Sequence, residues 1–286
     1  MAEHPSRAID GAEAHAFAFE ERDFRRVCRM IHERAGISLS PHKRDMAYSR
    51  LARRLRALGI ERFHDYLDLV EADPGAEAQH FVNALTTNLT SFFREEHHFA
   101  AFAEQLLAAA GRERELLVWC CAASTGEEPY SLAITACEAF GTLSPPVRIL
   151  ATDIDTTVLD VARRGVYPLE RIQALDPARR RTFFQRGGGR NAGLCRVRPA
   201  LQALVEFRPL NLADADYGLG GGFAAVFCRN VMIYFDKPTQ YRVLQRIAPL
   251  LAPDGRLYAG HSESFSHAAD LVSPCGRTIY RAAGTP

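Results

Sequence analysis

Acidic, amide, arginine and tyrosine side chains stand just beyond successive apolar runs in this chain of 286 residues. Leu116 to Ala122 is apolar and is followed by the small-residue turn Ala123-Ser124-Thr125-Gly126, then by Glu127 and Glu128. Arg148 to Thr152 runs into Asp153 and Asp155, and Leu204 to Leu212 carries Asn211 near its end. Phe223 to Cys228 leads into Arg229-Asn230 and then Met232-Ile233-Tyr234-Phe235. Carboxylates accept hydrogen bonds from hydroxyls and attract cations, whereas amides, Arg and Tyr bind and orient polar groups. Any one of these could be a structural turn residue. Their recurrence is the signal, because the strand tips of an open α/β sheet share one edge, where ligands sit.

The elements that position them begin with Leu116 to Asp155. The apolar run fits a buried strand. Glu127, Glu128 and Pro129 suit the first turn of a helix, where the dipole is positive and an N–H is orphaned. Tyr130, Ile134 and Cys137/Glu138 continue it at helical spacing, and Gly141 and Pro145-Pro146 stop it. A second strand ends at Asp153. The unit is β-α-β, with the acid placed for ribose hydroxyls. Its turn holds one glycine, Gly126, and is not G-x-G-x-x-G, and the two glutamates would repel phosphate but suit an ammonium. An adenosine carrying an amino acid and no phosphate fits: S-adenosylmethionine. On this stretch alone an ordinary β-α-β with surface acids remains open.

The length allows about two domains. A hydrophobic content of 47% with 24% charged residues describes a globular protein, and a net charge of +1 excludes a broad polyanion-binding surface. The seven cysteines include no C-x-x-C and read as core residues of a reduced, cytoplasmic protein, with Cys120 and Cys121 on opposite strand faces. The N-terminus lacks an apolar signal core, and no membrane insertion is expected.

Residues 1–18 are expected to be disordered. Phe24, Val27, Cys28 and Ile31 mark a helix ended by Gly36; the next has Ser40 as N-cap, Pro41 at N1 and Gly59 at its close. Tyr48, Leu51, Leu55 and Leu58 form its apolar face, with Arg50, Arg53, Arg54 and Arg56 spread opposite. Lys43 to Arg56 holds six cations and one acid, net +5, and solvated faces normally mix signs. A docking surface for an acidic partner is weighed above a solvated face. Two more helices, separated by Pro74-Gly75, complete a helical domain over 19–87. Thr86 to Arg94 is dense in hydroxyls, amides and aromatics, as a site wall would be. His97 and His98 cannot share one metal on a helix and are read as surface histidines; no metal is expected. Residues 166–203 break the α/β rhythm. There the basic run Arg179-Arg180-Arg181, a Gly-rich turn and the alternating Leu194 to Arg198 predict an inserted antiparallel subdomain. A helix through Tyr241, Leu244, Ile247 and Leu251, a Pro253-Asp254-Gly255 turn, a strand over 256–259 and a last strand over 277–280 follow.

The segments TTNLTSFFRE, ASTGEEPYS, ATDID and CRNVMIYF, with GHSESF near the end, resemble the chemotaxis-receptor glutamate methyltransferase (CheR) family. The resemblance spans nearly the whole chain. It implies an all-α N-terminal domain and, over 88–286, a Rossmann-like methyltransferase domain carrying a small β-subdomain. It implies methyl transfer from S-adenosylmethionine to glutamate side chains of chemoreceptors, giving methyl esters. Carried over, Asn88, Thr90, Arg94, Glu128, Asp153, Asn211, Leu212, Arg229 and Asn230 would surround the cofactor, with Glu127 as an alternative to Glu128. Arg94 and Tyr234 would face the acceptor. In some family members the β-subdomain holds a receptor's C-terminal peptide, and strand addition would suit that task here.

A glutamate carboxyl with a pKa of about 4.3 is ionised at neutral pH, so no general base is needed. Positioning and water exclusion should dominate. Two other classes compete: a methyltransferase for small molecules or nucleic acid, and a cofactor-binding sensor without catalysis. The narrow basic face and the absence of an Asn-Pro-Pro-Tyr-like amine site argue against the first, and the Arg94/Tyr234 pair against the second. A monomer and no nucleic-acid partner are expected.

Overall fold

The computed structural model describes residues 17–72, 75–111 and 115–284. Most of the stretch expected to be disordered, and Pro74 of the expected break, lie outside the described residues. Phe17, at the end of that stretch, is packed: its ring meets Phe63 edge-on at 6.4 Å.

Four helices come first among the described residues: α1 (Glu21–Ala35), α2 (Arg44–Leu58), α3 (Phe63–Ala72) and α4 (Ala76–Leu85). α1 starts with a capping box between Glu20 and Asp23 and ends at Gly36 in the left-handed conformation, φ 69°. α2 departs from expectation at its start. Ser40 makes no side-chain cap, and Pro41–Lys43 is a single 3-10 turn ahead of the helix. Leu51 and Leu55 are fully buried, but Leu58 is 41% exposed and lies outside the apolar face. α5 (His97–Ala109), not foreseen as an element, leads into the α/β part. Its His98 is wholly buried, contrary to the surface reading. The ring stands edge-on to Tyr258 and bonds the Thr278 hydroxyl at 2.8 Å.

There follow β1 (Leu116–Cys120), α6 (Glu127–Phe140), β2 (Val147–Asp153) and α7 (Thr156–Arg164). The insertion comprises β3 (Val166–Pro168), α8 (Pro177–Phe183), β4 (Phe184–Arg186), β5 (Leu194–Val197) and α9 (Pro199–Gln202). The chain ends with β6 (Val205–Pro209), β7 (Phe223–Cys228), α10 (Lys237–Ile247), β8 (Leu251–Ala259), β9 (Val272–Gly276) and β10 (Ile279–Ala282). Leu251 opens β8 rather than closing the preceding helix. Pro253-Asp254-Gly255 is an irregularity within that strand, across which the pairing to β7 shifts register. β9 was not foreseen, since Ser273-Pro274-Cys275-Gly276 has neither β-branched residues nor alternation.

The main sheet runs β6-β2-β1-β7-β8-β10-β9; β6, β2, β1, β7 and β8 are mutually parallel, and β10 is antiparallel to both its neighbours. The connections from β1 lead outward through β2, and β7 returns on its other side. The crevice where the order reverses lies at the tips of β1 and β7. Both faces are covered, as a parallel sheet requires. Trp119, Cys121, Val226 and Cys228 pack with the N-terminal helices and α10; Val118, Cys120, Ala225 and Phe227 pack with α5, α6 and the insertion. This is the period-two alternation that separates the adjacent cysteines Cys120 and Cys121.

The insertion forms its own antiparallel sheet, β3-β5-β4. Leu194 to Val197, the segment recognised from its alternation, is the central strand, so the free edges belong to β3 and β4.

Candidate active site

The tips of β1, β2, β6 and β7 open into one cavity of about 350 Å³. Cys121, Ala122, Ser124 and Glu128 line it beyond β1, Asp153 and Ile154 beyond β2, Leu210, Asn211 and Leu212 beyond β6, and Arg229, Asn230 and Tyr234 beyond β7. Thr86 to Thr90 and Arg94 close one side. The helical domain supplies the other through Ile37, Ser38, Leu39, Lys43 and Met46. That wall was not anticipated. It is fixed where α1 ends: the Ser38 N–H donates to the Tyr234 carbonyl at 2.8 Å, and Ile37 makes a bridge to Phe235.

The turn after β1 holds its shape through Asp153. The Ser124 N–H donates to Asp153 Oδ2 at 2.8 Å, and the Asp155 N–H donates to Oδ1 at 2.9 Å. Burial outweighs these bonds and pushes the Asp153 carboxyl up to about 6. Gly126 closes the turn at φ 99°; a Cβ there would meet the Tyr167 hydroxyl at 2.7 Å. Asp155 has a different task. It caps α7, accepting from the Thr157 N–H, and also accepts from Thr86 Oγ1 and Asn88 Nδ2 at 2.8 and 2.7 Å. It thereby pins the connecting segment to the sheet.

The two glutamates of the first turn of α6 diverge. Glu128 lines the cavity, its carboxylate 3.2 Å from Arg229. Burial raises its pKa and the Arg229 charge opposes that rise. Glu127 points away, fully buried, and pairs with Arg171 of the insertion at 2.9 Å.

Arg229 is buried with Glu128 on one side and Glu95, at 3.5 Å, on the other. It also donates to the Arg94 carbonyl, and its ring-side neighbour is Phe99. Its Nε has no hydrogen-bond acceptor among the described residues, and its Nη1 meets Glu128 as an ion pair without hydrogen-bond geometry. Glu95 accepts from Asn230 Nδ2 at 3.2 Å and from the His261 N–H at 3.1 Å. Burial alone would raise Glu95, but bonds from His261 and Asn230 and the Arg229 charge hold it at about 2. Burial, with Arg229 and His97 nearby, lowers His98 to about 4. The loop after β7 is shaped by Glu263, whose carboxylate accepts backbone N–H groups of Asn230, Val231, Met232 and Gly260. Neither Glu95 nor Glu263 was singled out from sequence, although both stand within recognised segments.

Every predicted cofactor and acceptor residue lines the cavity: Asn88, Thr90, Arg94, Glu128, Asp153, Asn211, Leu212, Arg229, Asn230 and Tyr234. Some of their side chains are already engaged. Asn211 Nδ2 donates to the Arg34 carbonyl and to Asp214, at 2.7 and 2.9 Å, which ties α1 to the sheet. Arg94 donates through Nη1 to the Leu89 carbonyl at 3.0 Å.

Arg50, Arg53, Arg54 and Arg56 of α2 do not form one solvated face. Arg54 pairs with Glu77 at 2.5 Å, and the Tyr66 hydroxyl donates to the same carboxylate. Arg50 is half-buried and donates to the carbonyls of Ala84 and Thr86. Arg53 and Arg56 are exposed, Arg56 lying 5.6 Å from the Phe17 ring centroid. Tertiary pairing with α4 claims the two arginines on that flank.

The group such a cavity would hold must offer a cation or hydroxyl donors to Asp153 and Glu128, an anion to Arg229 or Arg94, and an apolar surface to Ile154, Leu210 and Leu212. S-adenosylmethionine has all of these in its ammonium, ribose, carboxylate and adenine. The family profile described as CheR methyltransferase, SAM binding domain, matches residues 88–281, and the one described as CheR methyltransferase, all-alpha domain, matches residues 22–86. The chain belongs to the CheR methyltransferase family. Chemotaxis protein methyltransferase 2 of Pseudomonas aeruginosa is 53% identical to it over 264 residues, 92% of this chain and 94% of that one. The chemotaxis protein methyltransferases of Salmonella typhimurium and Escherichia coli are 52% and 50% identical, each covering 92% of this chain and 91% of their own. This CheR-family chain is an S-adenosylmethionine-dependent methyltransferase, with an all-α N-terminal domain, a mainly parallel sheet and a small antiparallel subdomain.

Proposed function

We propose that this methyltransferase esterifies the side-chain carboxylates of particular glutamates in chemoreceptors, and so serves adaptation in chemotaxis-type signalling. The observation that carries the reading is the position of Arg94 and Tyr234 on the same cavity as Asp153 and Glu128. A cation site and an anion site thus share one enclosed volume, as a sulfonium donor and a carboxylate acceptor require. The names of the relatives, chemotaxis protein methyltransferases, support the same setting.

In this reading Asp153 accepts from the ribose hydroxyls and Glu128 faces the methionyl ammonium. Arg229, fixed by Glu95 and Glu128, turns toward the methionyl carboxylate. When bound, S-adenosylmethionine supplies a methyl group on a positive sulfur, with S-adenosylhomocysteine as product. The Arg94 fork holds the acceptor carboxylate by charge-assisted bonds, and the Tyr234 hydroxyl fixes one oxygen. The acceptor is already ionised, so the protein need move no proton. Its contribution is orientation and exclusion of water, which can amount to about 7–11 kcal/mol. The wall from Ile37 to Met46 serves exclusion, and the N–H of Ser38 keeps the Tyr234 segment against it.

Arg53 and Arg56 suit an acidic helical surface of the receptor. β4, with Gln185 and Arg186 exposed on a free edge, suits addition of a receptor's C-terminal peptide as a strand. Among the described residues no helix is long and apolar enough to cross a membrane, and we place the enzyme in the cytoplasm, acting as a monomer. The test is incubation with methyl-labelled cofactor and receptor cytoplasmic regions, followed by peptide mapping. Base-labile label on glutamates is expected. Label on nucleic acid or on an amine instead would overturn the reading. A receptor lacking its C-terminal peptide should be methylated more slowly at low concentration.

A further inference from the structure

The segment bearing Arg94 is strained. Phe93 and Glu95, on either side of it, adopt left-handed φ of 53° and 61°. Side chains with a Cβ persist in that region only where their surroundings hold them. Glu95 is held from the sheet through Asn230 and His261. The other half is held by α6, where the Phe93 N–H donates to Ser131 Oγ at 3.0 Å, by Phe99 of α5, and by the inserted subdomain. Phe92 stands edge-on between Tyr167 of β3 and Phe184 of β4, ring centroids 5.3 and 5.4 Å away. Arg179, the first residue of the basic run on α8, lies 4.2 Å from the Phe93 ring centroid. It is locked there by a bidentate pair with Glu138 of α6, at 2.8 and 2.9 Å. Arg171 spans the buried Glu127 carboxylate and, at 3.4 Å, the Thr90 carbonyl.

We propose that Arg179 and Arg171 are positioning residues for methyl transfer: the inserted subdomain clamps Thr90 to Phe93 and so sets the aim of Arg94. Neither arginine lines the cavity, so both act through the loop. The inference rests on the acceptor role of Arg94. If it is right, whatever engages the subdomain also influences the step at the site, beyond raising local concentration.

The test compares Arg179→Met, Arg179→Lys and the double variant Arg171→Met/Glu127→Gln, which leaves no unpaired buried charge, with the wild-type enzyme. The kcat for receptor methylation at saturating cofactor and receptor should fall roughly tenfold in the Met variants, as a misplaced reacting group implies. S-adenosylmethionine affinity should stay within about threefold, marking loss of aim rather than of cofactor binding. Amide exchange over 90–95 should rise, and Arg179→Lys, which keeps a cation over Phe93, should recover part of kcat. An unchanged kcat, or unchanged exchange over 90–95, overturns the proposal. If the wild-type enzyme methylates no receptor, the reading of function fails while the exchange comparison still decides whether the subdomain holds the loop.

Discussion

Arg229 and Glu128 face each other in the cavity floor, Nη1 3.2 Å from Oε2, from the tip of β7 and the first turn of α6. With Glu95 on the far side, one buried cation stands between two carboxylates, and the loops after β7, β8 and α4 converge on it. The cluster gives the cavity floor its charge and fixes three chain segments that have no regular hydrogen-bond ladder between them.

Removing the cation should therefore be costly. Arg229→Met leaves two carboxylates without their partner, and breaking a buried pair costs about 3–5 kcal/mol. Urea unfolding should register that loss, and adding Glu128→Gln should recover part of it. A destabilisation no larger than that of a surface arginine would mean the cluster is solvated in solution.

Cofactor affinity should depend on pH through Asp153. Burial pushes this carboxyl up to about 6, and in the proposed ribose role it is the ionised form that accepts from the hydroxyls. Affinity should hold steady above neutrality and decline as pH falls through about 6. Asp153→Asn should abolish that decline and weaken binding throughout by about 1.5–3 kcal/mol. For folding the sign is opposite: the folded pKa exceeds the unfolded one, so this group's contribution to stability falls as pH rises toward 6. Calorimetric titration between pH 5 and pH 8 checks the binding half. A flat wild-type profile removes Asp153 from the ribose.

Arg94→Lys keeps a charge and loses the planar fork. Methyl-ester formation should fall by more than cofactor affinity does. Equal losses in the two measurements would assign Arg94 to the cofactor instead of the acceptor.

Arg53→Glu with Arg56→Glu should slow receptor methylation at low salt, and the defect should shrink as salt rises and screens the wild-type attraction. Arg50 and Arg54 are poor choices for this test because both are bonded within the helical domain. Initial rates against ionic strength, with cofactor affinity as control, measure the effect. Identical low-salt rates would leave these arginines as a solvated face.

Much of the fold was legible because its signals are local. The apolar runs at Leu116 and Phe223 fall on β1 and β7, and Gly36, Gly59 and Gly141 end helices in the left-handed conformation. The helix at Tyr241 was recognised but overrun, because a 3-10 turn over Ala248–Leu250 keeps apolar residues in step before Leu251 enters the sheet. β9 escaped because Ser273 to Gly276 carry neither β-branched residues nor an alternating pattern that would mark a strand.

The sequence by itself determined the β-α-β core, the polar residues at its strand tips and the resemblance that names the cofactor. Turn residues and hydrophobic period act over a few neighbouring positions, and the right-handed, parallel connection of such units brings the tips to one edge. Only the tertiary structure decided which of those residues are spent. It sent Glu127 to Arg171 and Glu128 to Arg229, buried His98 beneath the site and drew Arg54 onto Glu77. It also made Glu95 and Glu263 the organisers of the active-site loops. Each of these outcomes depends on a partner delivered from a distant element, and the energy of a buried charge is set by that partner and by exclusion of water, which no local pattern encodes.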